Sequence, residues 1–429
     1  MSYSPLLLQL VIILGTARLL GQVLKYFGQS SVIGEMAAGF VLGPVIFGAI
    51  APELHAQIFQ PSSLAALRGL SELGLVLFMF IVGAELRLPL GVRQQLVTAG
   101  WICAFSVLIP VALGLAVATY LYVPLSPPGA VFWPFALFLA AAMSVTAFPV
   151  MARILKDREL THTVIGRLSL TSAAMADVLA WVMLVLVVIL AGSGQDWMRF
   201  GQTLGGLAVL GVVMLGVVKP LLARAVQRYA ADGKPRAALL AGLLIGAFVC
   251  AHITELLHVH AVFGAFLFGA CLPRDDRLLA VLIERIEHLA IIVLMPIFFA
   301  LAGLSTTPDA FVGTGLGALL LILGVAVVGK VLGGALGARI GKQPWRVCLG
   351  VGSLMNARGM IELIVIKVGL DIGVIDDRLF TMLMVMAIVT TLMTGPLLSL
   401  FAERPAEQPE EKIHDDAMLS AQQAESSSR

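Results

Sequence analysis

The stretch from Leu168 to Gly192, LSLTSAAMADVLAWVMLVLVVILAG, constrains this chain more than any other. About 20 consecutive apolar residues span a bilayer. A carboxylate near the middle of such a span costs several kcal/mol unless it faces protein, water or an ion, and this stretch carries one, Asp177. On cost alone, Asp177 is a candidate functional residue.

Two other features at membrane depth are candidates to meet it. One is Ser144-Val145-Thr146-Ala147-Phe148-Pro149, which interrupts the preceding apolar segment; the other is Lys330, inside the Gly-rich run GVAVVGKVLGGALG. Ser144 and Thr146 offer hydroxyl or carbonyl oxygens that suit a hard monovalent cation. Thr171 and Ser172, about a turn and a half before Asp177, approach only from the side. Lys330 lies too deep to reach the membrane surface, and serves either as a fixed positive charge or as a titrating partner.

Composition agrees with a chain that lives in lipid. It is 59% hydrophobic and 13% charged, with a mean hydropathy of +0.98, whereas a soluble domain is about 25% charged. The net charge of +2 argues against a nucleic-acid partner. Cys103, Cys250, Cys271 and Cys348 lie in apolar segments without metal-ligand spacing, so packing is the expected role. Neither a phosphate-binding loop nor a nucleophile triad is legible, and no cofactor or enzymatic activity is expected. The N-terminal apolar run lacks a basic leader and a small-residue cleavage site, and reads as a retained span.

The expected fold is all-α, with thirteen hydrophobic spans at 5–27, 31–49, 66–86, 94–121, 129–155, 162–191, 203–228, 235–256, 259–273, 281–304, 313–341, 345–371 and 378–401. Residues 1–403 then form one transmembrane unit, and the polar segment 404–429 is expected to be a disordered cytoplasmic tail. Basic residues crowd alternate loops. Lys25, Arg87, Arg93, Arg153, Lys156, Arg158, Arg167, Arg224, Arg228, Lys234 and Arg236 share one side with Arg274, Arg277, Arg285, Arg339, Lys342, Arg346, Arg404 and Lys412. The other side has little beyond Arg68, Arg199 and Arg378. The excess of positive charge in cytoplasmic loops places the N-terminus outside and the C-terminus in the cytoplasm.

Weak internal symmetry runs through the spans. SVIGEMAAGFVLGP (31–44) resembles HAVFGAFLFGACLP (260–273), and VLFMFIVGAELR (76–87) resembles VLMPIFFALAGLS (293–305). That pairing gives a first repeat over 5–191, a linker helix over 203–228 and a second repeat over 235–401. The odd offset of seven spans inverts one repeat against the other. It also pairs the fifth span, broken at SVTAFP, with the twelfth, broken at SLMNARG, where Asn356 and Gly359 flank Arg358. Pro149 lacks a donor N–H and disfavours helix at Phe148. Two helices broken at one depth leave half-helix ends facing each other, which bind an ion.

Arg358 and Glu362 are four residues apart and are expected to pair and neutralise helix ends. Glu35, Glu72 and Glu255 read as cavity or interface residues, and His252, His258 and His260 as interfacial histidines on the outer side. Spacings such as Gly39 with Gly43 and Gly333 with Gly337 let helices approach closely.

Taken in order, SVTAFPVMARIL, LTSAAMADVLAW, PIFFALAGL, VVGKVLGG and SLMNARGMIELIVIKVGLDIGVI resemble the monovalent cation:proton antiporter-2 family, over roughly residues 5 to 400. The resemblance implies the sodium/proton antiporter fold, in which a dimerisation domain and a core with two crossed broken helices alternate access by an elevator-like movement. It implies exchange of Na+ or K+ for protons in a cell (inner) membrane, a role in pH homeostasis, and a homodimer. Asp177 then takes the place of the ion-binding carboxylate, Thr146 that of the broken-helix threonine, and Lys330 that of the later lysine. Electrogenic members carry a second aspartate just before the first; here that position is Ala176. Electroneutral exchange is the expectation, with a gated potassium efflux path as the alternative.

Overall fold

A backbone surrounded by lipid must satisfy its polar groups within its own segment, and helices achieve this locally. The computed structural model describes residues 5–60, 63–85, 93–161, 163–193, 197–229, 237–257, 259–273 and 280–401, and every regular element among them is helical. The tail 404–429, His258, and the basic residues Arg87, Lys234, Arg236, Arg274 and Arg277 lie outside the described residues.

The helices are α1 (Leu6–Tyr26), α2 (Ser31–Leu42), the short α3 (Phe47–Ile50) and α4 (Pro52–Ile58), α5 (Leu64–Glu85) and α6 (Arg93–Leu125). Then come α7 (Phe132–Ser144), α8 (Phe148–Asp157), α9 (Val164–Ser193), α10 (Trp197–Val213) and, beyond a π-wound turn, α11 (Lys219–Tyr229). The second half holds α12 (Ala237–Leu256), α13 (Ala261–Ala270), α14 (Met295–Leu304), α15 (Gly315–Ile340), α16 (Trp345–Met355), α17 (Met360–Asp371) and α18 (Asp377–Phe401).

Ten helical stretches among the described residues are long and apolar enough to cross a membrane. The expected spans without such a stretch are the two broken ones and the short 259–273 segment, which forms α13 over 10 residues. The first break differs from expectation in one respect: helix resumes at Phe148, with Pro149 in the first turn of α8. A first-turn proline loses no hydrogen bond there, because those N–H groups have no intrahelical partner. The residue forced into extended backbone is Ala147, with φ −99° and ψ 99°.

The closest helix pairings fall into two sets. One contains α1, α2, α5, α12, α13 and α14; the other contains α6 to α9 and α15 to α18, with α2 touching α18 between them. Small residues set the approach within each set. A Cβ on Gly39 of α2 would lie 2.0 Å from the Phe299 carbonyl oxygen of α14, and one on Gly333 of α15 would lie 2.5 Å from the Phe105 carbonyl oxygen of α6. In lipid, where apolar burial does not drive helix association, such backbone contact supplies the packing.

Candidate functional site

The last four carbonyls of any α-helix lack intrahelical partners. Helix α7 stops at Ser144 because Val145 turns extended, with ψ 140°. Each of its last four carbonyls instead receives a side-chain donor. Ser144 Oγ donates to Ala141 O at 2.8 Å, Arg358 Nη1 to Ala142 O at 2.9 Å and Arg358 Nη2 to Met143 O at 2.8 Å. The fourth donor is Lys330 Nζ, on the Ser144 carbonyl. Two cations thus sit at the negative end of the helix dipole.

Lys330 and Arg358 have no solvent exposure. The Lys330 ammonium also donates to Thr146 Oγ1 at 2.6 Å. Thr146 directs its own proton toward the Met355 carbonyl, 3.5 Å away at the end of α16. The two breaks meet directly, since the Ala147 N–H donates to the Ala357 carbonyl at 3.2 Å. Asn356 Nδ2 donates to Thr390 O at 3.0 Å, and the Arg358 N–H donates to Thr391 Oγ1 at 2.9 Å. Both contacts tie the second break to α18.

Each half-helix that resumes after a break has a carboxylate near its N-terminus, where the dipole favours negative charge. Glu362, in the first turn of α17, accepts from Arg358 Nη1 at 2.7 Å with both side chains fully buried. Asp177 of α9 stands at the start of α8, with the Phe148 backbone N–H directed at its carboxylate. It is only 3% exposed, and its Oδ1 has no hydrogen-bond partner among the described residues. Lys330 is near enough to act on Asp177 through its charge, yet the two make no ion pair among the described residues. Asp177 is a buried carboxylate left with bonding capacity.

The structure therefore brings Ser144, Thr146, Lys330, Asn356, Arg358, Glu362 and Asp177 to one region where the breaks meet. Ser144 meets Lys330 through its carbonyl, while its hydroxyl donates to its own helix. The hydroxyls of Thr171 and Ser172 likewise donate within α9, to Arg167 O at 2.8 Å and Leu168 O at 2.7 Å. Glu35 is buried on α2 and faces the charges of Arg153 and Arg18. Glu72, His252 and Glu255 line a separate cavity with the half-buried His260.

Two contributors escaped the sequence reading. Cys103 of α6 is buried against Ala176, within electrostatic reach of Asp177 and Lys330. Nothing in its local sequence signals this. The pair Thr390-Thr391 anchors the second break, and two adjacent hydroxyls inside an apolar span were a readable signal.

Broken helices whose breaks meet beside a buried carboxylate, inside a polytopic helical membrane protein, point to a class of ion-handling membrane protein. The comparisons narrow it. The sequence matches the family described as "Sodium/hydrogen exchanger, transmembrane" over residues 10–404. It is 36% identical over 403 residues to the Na(+)/H(+) antiporter NhaS4 of Synechocystis sp., covering 94% of this chain and 98% of that one. It is 35% identical to Cation/H(+) antiporter 17 of Arabidopsis thaliana, with 91% of this chain and 48% of that one covered. For the K(+)/H(+) antiporter 1 of Saccharomyces cerevisiae the identity is 32%, with 93% and 47% covered. The chain thus spans nearly all of the cyanobacterial relative but about half the length of the plant and yeast ones. The solved structure of the sodium proton antiporter MjNhaP1 from Methanocaldococcus jannaschii at pH 8 superposes with a TM-score of 0.62 at 16% identity, covering 92% of this chain and 99% of that one. This chain belongs to the sodium/hydrogen exchanger family.

Proposed function

We propose that this protein exchanges a monovalent cation, Na+ or K+, for protons by alternating access, with Asp177 binding either one in turn. The observation that carries the reading is the contrast between the two carboxylates at the breaks. Glu362 is matched by Arg358 at 2.7 Å, whereas Asp177 has, among the described residues, an unpartnered oxygen and no paired base. Thr146 Oγ1, which already accepts from Lys330, keeps a second lone pair for a cation. Coupling follows from cost: a bare buried carboxylate is penalised, so only the cation-loaded or protonated form crosses the apolar barrier. The relatives' names, sodium/proton, cation/proton and potassium/proton antiporter, support this activity.

The same reading includes thirteen crossings, an inverted repeat and an elevator-like core. Glycine approaches that form image pairs favour the repeat. Gly39 of α2 abuts Gly303 of α14, as Gly269 of α13 abuts Gly83 of α5; Gly34 meets Gly21 of α1, as Gly264 meets Cys250 of α12. The helix set containing α6 to α9 and α15 to α18 would be the moving core, and the other set the dimerising scaffold. Loop charge favours a cytoplasmic C-terminus in the cell membrane.

The test is proton movement in proteoliposomes on addition of Na+ or K+, for the wild type and Asp177→Asn. Cation-dependent proton flux that the variant loses is expected, and the effective ion names the substrate. Cation flux without proton flux means a channel, and undiminished exchange in the variant means another carboxylate carries the ions.

A further inference from the structure

A second polar cavity, of about 240 Å³, lies apart from Asp177 and is lined by Lys25, Gly28, Gln29, Ser30, Arg158 and Gly395, with Ile154 behind. It forms where the α1–α2 turn, the end of α8 and the C-terminal part of α18 converge. Gly28 turns the chain with φ +71°, a left-handed conformation that glycine adopts freely. The turn brings Lys25, in the last turn of α1, and Ser30, at the start of α2, to the same opening.

The lining is that of an anion site without its anion's partner in the chain. Lys25 and Arg158 make no ion pair among the described residues. Ser30 occupies the N-cap position of α2 but makes no cap bond, and its Oγ is buried without a partner while the residue is only 4% exposed. The N-terminus of this 12-residue helix therefore adds the positive end of its dipole, and an unspent hydroxyl, to two unpaired cations. Arg158 lies against Gly395 of α18. Its Nη2 would be 3.0 Å from a Cβ on Gly395, and Gln29, which donates to Leu392 O at 3.2 Å, fills the adjoining space.

We propose that this cavity is a phosphate-binding site, occupied by the phosphate of a phospholipid headgroup or of a soluble phosphate compound. A planar guanidinium beside a lysine, a serine hydroxyl and a helix N-terminus matches the donor demand of tetrahedral phosphate oxygens. The surroundings favour the lipid source. Tyr26 and Phe27, next to Lys25, are 87% and 70% exposed, and exposed aromatic residues of this kind mark the membrane–water interface, where headgroup phosphates lie. A bound phosphate would join the α1–α2 turn of one helix set to α8 and α18 of the other, and so resist their relative movement.

The experiment measures the thermal unfolding midpoint of the purified full chain in an uncharged detergent, titrated with dioleoylphosphatidylglycerol or with inorganic phosphate. A saturable rise with the lipid alone assigns the site to a headgroup; a rise with inorganic phosphate as well assigns it to a soluble phosphate, and either supports the site. Arg158→Gln and Lys25→Gln are expected to require roughly tenfold more ligand, since each removes a charge-assisted contact. Ser30→Ala, which deletes only the orphaned hydroxyl, is expected to weaken the response without disturbing the fold. Lys156→Gln, an exposed neighbour outside the cavity, leaves it unchanged. No shift for the wild type with either probe, or equal shifts in Ser30→Ala, Lys25→Gln and Lys156→Gln, overturns the proposal.

Discussion

Lys330 donates to Thr146 Oγ1 at 2.6 Å, and to the Ser144 carbonyl beside it, while Asp177 stands nearby without an ion pair. Under the proposed exchange, a lysine committed to the end of α7 would serve as a fixed charge that shapes the break, and Asp177 would be the group that changes partners. Replacing Lys330 with Met removes both donors and strands two buried acceptors, each costing about 1–3 kcal/mol. The expected outcome is a clearly lower unfolding temperature together with lost exchange. Lys330→Gln, which keeps a donor but no charge, should recover part of the stability and little of the exchange.

Competition at one carboxylate has a kinetic signature. If cation and proton exclude each other from Asp177, the apparent KM for the cation rises about tenfold for each unit of pH below the group's titration point, at constant maximal rate. Initial rates measured across pH and cation concentration check this. A maximal rate that falls with acid while KM stays constant would point to a separate proton site.

Much of this arrangement was readable from residue types, because lipid makes polar groups expensive. Asp177, Lys330 and the two interruptions stand out in apolar sequence, and the expected Arg358–Glu362 pair follows from helical spacing. What was not readable is which atoms meet. The bonds from Arg358 to Ala142 and Met143 join residues more than two hundred positions apart and end on backbone, so no side-chain pattern announces them. A bookkeeping argument was available: a helix that stops inside the membrane needs donors for its last carbonyls, and the fully buried cations are the natural suppliers. The hydroxyls of Ser144 and Ser172 each donate back to their own helix, a local bond that residue type alone does not reveal.

Charge accounting at the neighbouring position gives a third prediction. Ala176 packs in a small apolar cluster with Cys103 and Val107, and by sequence Asp177 is the one carboxylate at that turn of α9. Exchange by the wild type should be indifferent to an imposed diffusion potential. Ala176→Asp, if it adds a second proton to the cycle, should make inward proton movement accelerate under an inside-negative potential. The measurement is the rate of cation-driven proton flux with and without the potential.

The close helix crossings predict a sharp division among glycines. A Cβ on Gly303 would lie 1.7 Å from the Gly39 carbonyl oxygen, and one on Gly39 would lie 2.0 Å from that of Phe299, so alanine at either forces backbone apart. Overpacking of this kind costs about 1–3 kcal/mol or more. Gly211, with nothing within 4 Å of its would-be Cβ, should accept alanine with unchanged or slightly raised stability. Unfolding temperatures of the three single variants in one detergent decide this.

The two carboxylates at the breaks should separate cleanly under mutation. Glu362 balances Arg358 inside a fully buried pair, so Glu362→Ala leaves an uncompensated guanidinium, at a cost of about 3–5 kcal/mol. Arg358 retains its bonds to Ala142 and Met143 in that variant, which limits the damage to the pair itself. Asp177→Asn removes a charge that makes no ion pair among the described residues, although Lys330 acts on it from nearby, and keeps the shape of the side chain. It should unfold at or above the wild-type temperature, because an unpaired buried charge is replaced by a neutral amide. Exchange should follow the opposite order: Glu362→Gln, the milder change, keeps measurable cation-dependent proton flux, and Asp177→Asn keeps none. Finding the transport defect at Glu362 and the stability defect at Asp177 would reverse the roles assigned to them.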